Sequence, residues 1–164
     1  MNSEVKYRLF QRVAGDWRKN KVSEGTIRIL IVDDLPQVRQ GLMTVLKLAS
    51  KKTLPWIEVI GEAQNGAEAI QQALGLHPDV ILMDLEMPGM DGYEATRQIK
   101  ANQPAVRVII LSIHAGCEEQ ELARSAGADG FVTKGSSYEV LLNAILSINK
   151  SINSNYLKNG GEYE

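Results

Sequence analysis

The stretch DVILMDLEMPGMDG, residues 79 to 92, constrains this chain more than any other. Val80, Ile81, Leu82 and Met83 are apolar without alternation and run straight into a carboxylate, Asp84. A strand covered on one face alternates apolar and polar residues. An unbroken apolar run is covered on both faces, which is the habit of a parallel sheet packed between two layers of helices. The run also ends on a charge, and burial alone gives no reason for that.

The rest of the chain supplies the partners such a strand needs. IRILIV (27–32), WIEVIGEA (56–63), VRVIILS (106–112) and the short GFVT (130–133) read as further strands. Between them lie helical patterns. In LPQVRQGLMTVLKLA (35–49), Leu35, Val38, Leu42, Val45, Leu46 and Ala49 share a face, and Pro36 sits in the first turn, where its missing N–H costs nothing. GAEAIQQALGL (66–76), YEATRQIKAN (93–102) and CEEQELARSA (117–126) follow. The last pattern, SYEVLLNAILSIN (137–149), turns Leu141, Ala144, Ile145 and Ile148 inward. Strictly alternating strands and helices predict βαβ units, hence an α/β, doubly wound, mostly parallel sheet. Ligands of such sheets sit outside the carboxyl ends of the strands, near the point where strand order reverses.

Composition narrows the class. Hydrophobic residues make up 44% and charged residues 23% of 164, enough apolar material for one core. The net charge of -2 gives no general attraction to nucleic acid or an anionic membrane. Cys117 is the only cysteine, which excludes an internal disulfide and a cysteine zinc cluster. No apolar run approaches the roughly 18 residues of a membrane span, and the N-terminus lacks a secretion-signal core, so the expected location is the cytoplasm.

The informative residues are those that follow the strands. The first strand leads to Asp33-Asp34, the third to Asp84, the fourth to Ser112 and the fifth to Lys134. Singly, each has a plain explanation: an acid pair can cap a helix, a serine can cap a turn, a lysine can sit in water. Parallel neighbours, however, bring all five to one rim. Three close carboxylates repel, and a divalent cation removes that penalty. Oxygen ligands with room for water suit Mg²⁺. An ammonium opposite would balance an incoming anion, so the rim is suited to a phosphoryl group, with Asp84 the natural nucleophile.

The ordered set ILIVDD, DVILMDLEMPGMDGYEA, VIILS and GADGFVTK resembles the CheY-like receiver domains of two-component response regulators over about residues 26 to 149. The resemblance implies a flavodoxin-like (βα)5 fold with strand order 2-1-3-4-5. It implies that Asp84 accepts phosphate from the phosphohistidine of a sensor histidine kinase or phosphotransfer protein. Asp34 would ligate Mg²⁺ directly, Asp33 mainly through water, and Asp84 and the backbone carbonyl of Glu86 would complete the protein's share. Lys134 and Ser112 would hold the new phosphate, and Phe131 matches the aromatic switch position, against the plainer reading of a core phenylalanine. Glu86 and His114 fall where receivers tune hydrolysis. Gly135 departs from the family, which often has Pro after the lysine.

The helix lengths and the ending SSYEVLLNAI are most similar to NarL-type receivers, which normally precede a DNA-binding helix-turn-helix. Only 15 residues follow Asn149, too few for an independent domain. The chain is therefore expected to be a stand-alone receiver, or a receiver cut before its output domain, with DNA contacted only through that missing part and a homodimer as a further outcome of phosphorylation. Residues 150–164 are read as a polar tail or linker stub. Residues 1–25 are read as a separate extension: either a disordered leader or an amphipathic helix in which Val5, Leu9, Val13 and Trp17 repeat every four residues. Two rivals to the phosphorylation switch are an aspartyl phosphatase and an unphosphorylated interaction scaffold. The first usually places Asp-x-Asp after strand one, unlike Asp84-Leu85-Glu86 here.

Overall fold

The computed structural model describes residues 25–51 and 56–147. The expectations for residues 1–24, for Ile148 and for the tail lie outside these. Five strands, β1 (Thr26–Val32), β2 (Trp56–Ala63), β3 (Val80–Asp84), β4 (Arg107–Ser112) and β5 (Gly130–Thr133), form one sheet in the order β2-β1-β3-β4-β5. All neighbours pair in parallel. The alternating helices are α1 (Pro36–Ser50), α2 (Gly66–Leu76), α3 (Gly92–Asn102), α4 (Cys117–Ser125) and α5 (residues 138–147). This is the flavodoxin-like α/β arrangement the sequence predicts. Strand order reverses between β1 and β3.

Every residue of β3 is buried, as its unbroken apolar run requires. Side chains alternate between two core layers. Leu30, Val32, Ile81, Met83, Val108 and Ile110 point toward α2, α3 and α4, meeting Ala69, Ala73, Ala95, Ile99 and Ala123. Ile29, Ile31, Leu82, Ile109 and Leu111 point the other way, toward Leu46 and Ala49 of α1 and Leu141, Leu142 and Ile145 of α5. The small residues on α2 and α3 let those helices lie close to the branched side chains of the sheet.

Local chemistry starts the helices. Pro36 occupies the first turn of α1. Asn65 caps α2 by accepting from the Glu68 amide at 2.9 Å, while Glu68 Oε2 accepts from the Gln64 amide at 3.0 Å. Asp91 caps α3 through the Glu94 amide at 2.9 Å. One expectation for α1 needs correction. The helical period puts Leu35 on its inner face, yet it is the N-cap residue and 45% exposed. The capping backbone is extended, so the helical periodicity does not reach it. The β1–β2 ladder skips a residue between Ile29/Val59 and Leu30/Gly61. That bulge brings the Ala63 carbonyl to the Asp33 amide at 3.1 Å, one residue beyond the end of β1.

Candidate functional site

Sheet register assembles the rim. Val32 pairs with Met83, so the next residues, Asp33 and Asp84, stand side by side. Asp84 pairs with Leu111, the residue before Ser112. Ser112 pairs with Thr133, and the Lys134 amide continues the ladder to the Ser112 carbonyl at 2.8 Å. Asp33, Asp34 and Asp84 each offer a carboxylate oxygen, and those atoms lie within 4.8 Å of one another. Asp33 and Asp84 are buried; Asp34 is half-buried.

Lys134 ties the acids together. Its ammonium donates to Asp33 Oδ2 at 2.7 Å and approaches Asp84 Oδ1 at 2.9 Å. Asp33 Oδ1 accepts from the Leu35 amide at 2.9 Å, and Asp84 Oδ1 accepts a long bond from the Glu86 amide at 3.4 Å. Burial raises the pKa of the Asp84 carboxyl, and the neighbouring Asp33 charge adds to that. Lys134 opposes it without cancelling it. Burial disfavours the Lys134 ammonium, but its bonds to Asp33 and Asp84 outweigh burial and raise its pKa. Three carboxylates share this one ammonium, so the cluster remains incompletely neutralised with the lysine in place. A cluster of oxygen donors that still lacks positive charge is chemically suited to a hard divalent cation such as Mg²⁺.

The remaining residues of the rim are placed as follows. Ser112 is buried, and its hydroxyl accepts from the His114 amide at 3.1 Å. Glu86 and His114 are exposed and face each other, with Nε2 of His114 3.3 Å from Oε1 of Glu86. Phe131 is half-buried and packs on the α2–α3–α4 core layer. Gly135 has φ +88°, a conformation that proline's ring cannot adopt. The departure from the family pattern is thus matched by a different local backbone.

Two features of the rim were not read from the sequence. Gly92, the first residue of α3, touches the end of β3: an added Cβ would overlap the Asp84 carbonyl and lie 2.9 Å from Leu85 Cα. The Asp-Gly pair at 91–92 was visible as a turn signal, but not as a close approach. The second is Arg39 on the first turns of α1, whose guanidinium donates to the Asp33 carbonyl at 2.7 Å and to Glu62 Oε2 at 2.9 Å. An arginine soon after an acid pair was the available hint.

Such a sheet, with acids gathered at its switch point and a lysine reaching them from the last strand, defines the class: a receiver domain of the response-regulator type. Comparison with known proteins agrees. The profile of the response regulator receiver domain family matches residues 29–146, and the chain belongs to that family. It is 42% identical over 120 residues to the response regulator protein VraR of Staphylococcus aureus, covering 73% of this chain and 55% of that protein. It is 36% identical over 125 residues to the response regulator GacA of Pseudomonas aeruginosa, covering 74% of this chain and 55% of GacA. The chain thus spans about half the length of the curated relatives it matches. Among solved structures, a LuxR-family two-component response regulator from Aurantimonas superposes with a TM-score of 0.70 at 38% identity, over 77% of this chain and 87% of the other. The signal receiver domain of NarL from Mycobacterium tuberculosis gives 0.70 at 32% identity, over 77% and 98%. Among the described residues, no helix is long and apolar enough to cross a membrane.

Proposed function

We propose that this domain is the phosphoacceptor of a two-component phosphorelay and that Asp84 carries the phosphoryl group. The observation that bears most of the weight is the convergence of three carboxylates within 4.8 Å on a buried rim, with Lys134 2.9 Å from Asp84. A carboxylate oxygen of Asp84 attacks the phosphorus of a phosphohistidine, the P–N bond breaks, and the imidazole leaves with its electron pair. Asp33, Asp34, Asp84 and the Glu86 carbonyl are the groups that would hold Mg²⁺, which would supply charge neutralisation to the transferred phosphoryl group.

The fixed strand β3 presents Asp84 in one orientation, which lowers the cost of reaching the transition state. Lys134 is charged at neutral pH and lies within reach of the same oxygen. The Ser112 hydroxyl accepts from the His114 amide, and its own O–H is the donor it would turn to a phosphate oxygen, a charge-assisted bond. Drawing Ser112 inward moves the loop after β4 and gives Phe131 a reason to rotate, so the face made by α4, β5 and α5 changes. The differential affinity of the phosphoryl group for two arrangements of this loop is sufficient to drive the change.

Incubation with a small phosphodonor and Mg²⁺ tests this reading. One phosphoryl group per chain is expected by intact mass, absent after chelation and absent in Asp84→Asn. Undiminished labelling of Asp84→Asn contradicts it. Catalytic turnover of phosphate esters at many cycles per chain would favour the phosphatase instead.

A second reading concerns the output. The similar LuxR-type regulator from Aurantimonas and the half-length coverage of VraR and GacA favour a receiver that serves a longer regulator, with DNA binding carried by another part and homodimerisation as the consequence of phosphorylation. Sedimentation before and after labelling reads the dimer directly.

A further inference from the structure

We infer that Arg39, anchored by Glu62, is a positioning residue that sets the Asp33-Asp34 peptide so that both carboxylates face the cation. The inference rests on the metal-site reading above and adds to it a residue outside the ligand set. Asp33 is fully buried, so water does not serve its carbonyl. Its amide is bonded to the Ala63 carbonyl at 3.1 Å, and its carboxylate oxygens are bonded to the Leu35 amide at 2.9 Å and Lys134 at 2.7 Å. The carbonyl, which belongs to the peptide linking the two acids, accepts from Arg39 Nη1 at 2.7 Å. Removing the guanidinium leaves a buried acceptor without a donor, and the peptide turns to find one. A turn of that peptide swings Asp34 relative to Asp33.

Glu62 explains why the donor is an arginine. The guanidinium spans two acceptors with one rigid fork, the Asp33 carbonyl and the Glu62 carboxylate at 2.9 Å. A lysine ammonium is a point charge and does not hold both in that geometry. Charge alone acts the other way: removing the guanidinium withdraws a cation from beside three acids, with or without Glu62, and so favours Mg²⁺. The role of the hydrogen bond is therefore read where net charge is kept, in Arg39→Lys and in the double variant Arg39→Gln/Glu62→Gln, which removes both members of the ion pair.

The test is an amide NMR titration of the full chain with Mg²⁺, following the residues after β1 and β3. The double variant Arg39→Gln/Glu62→Gln, which leaves the net charge unchanged, is expected to weaken Mg²⁺ affinity roughly tenfold, as loss of an outer-shell partner typically does, with a dispersed spectrum retained. Arg39→Lys is expected to recover only part of the loss. Arg97→Gln, which removes an exposed pair with Glu94 on α3, is the control and leaves affinity unchanged. Should the double variant not fold, Arg39→Lys, which keeps the charge but not the fork, carries the test, with a weakening expected there too. Wild-type affinity or tighter binding in the double variant, or in Arg39→Lys where that variant carries the test, overturns the inference alone, as does an equal loss in Arg97→Gln. A wild-type chain that does not respond to Mg²⁺ overturns the site reading with it.

Discussion

Lys134 and Asp84 illustrate how one residue sets terms for another. The Asp84 carboxyl prefers its proton more in the folded chain than in the unfolded one, because burial and Asp33 outweigh Lys134. The fold therefore loses stability from this group as pH rises from the ordinary aspartate value through the raised one. Asp84→Asn, which cannot ionise, is expected to unfold at higher urea than wild type at pH 7 without divalent cations. The gain should fade as pH falls toward 4; a gain that grows on acidification would reverse the sign of the account. Lys134→Met makes the opposite case. It leaves Asp33 and Asp84 buried without their counter-charge, and a loss of about 3 kcal/mol is expected, the low end for breaking a buried pair because Lys134 keeps some contact with water. Urea unfolding at pH 7 measures it, and a loss below about 1 kcal/mol would show that the lysine does little to hold the acids.

At the scale of elements, the strand–helix junctions matter most. The junction of β3 and α3 depends on Gly92, since any side chain there meets the backbone of Asp84 and Leu85 rather than a flexible group that could yield. Gly92→Ala is expected to cost roughly 2–3 kcal/mol in urea unfolding and to lower labelling of Asp84, because relief comes only by moving the helix or the strand end. Normal stability and labelling would mean the junction is softer than its contacts imply. The elements themselves were legible in the sequence. The apolar run of β3 predicted burial on both faces, and Pro36 marked the start of α1. What was not legible is how close the elements come. Nothing in a one-dimensional pattern distinguishes a glycine that makes a turn from one that touches a neighbouring strand. Leu35 failed for a related reason: it fits the helical period but stands in the cap, where the backbone has left that period.

At the scale of the whole molecule, the site is a property of the sheet rather than of any segment. Asp33, Asp84, Ser112 and Lys134 come from four strands, and only the register between those strands brings them together. Each residue was visible in the sequence as a polar group after a strand. The ion pairs of Lys134 with two acids, and the Arg39–Glu62 bridge behind them, span sequence separations that no local pattern encodes. Since the cluster exists only when the sheet is formed, a cation that binds it stabilises global folding. Mg²⁺ at about ten times its Kd is expected to raise wild-type stability by about 1.4 kcal/mol, and to do little for Asp84→Asn. Equal increments in both would mean the ion acts elsewhere.

The most direct measurement is chemical mapping of the phosphoryl linkage after labelling with a phosphodonor. The account predicts a label in the peptide containing Asp84, formed only with Mg²⁺ and released by hydroxylamine as an acyl phosphate must be. A label on Ser112 or His114, or one formed without the cation and stable to hydroxylamine, would contradict it.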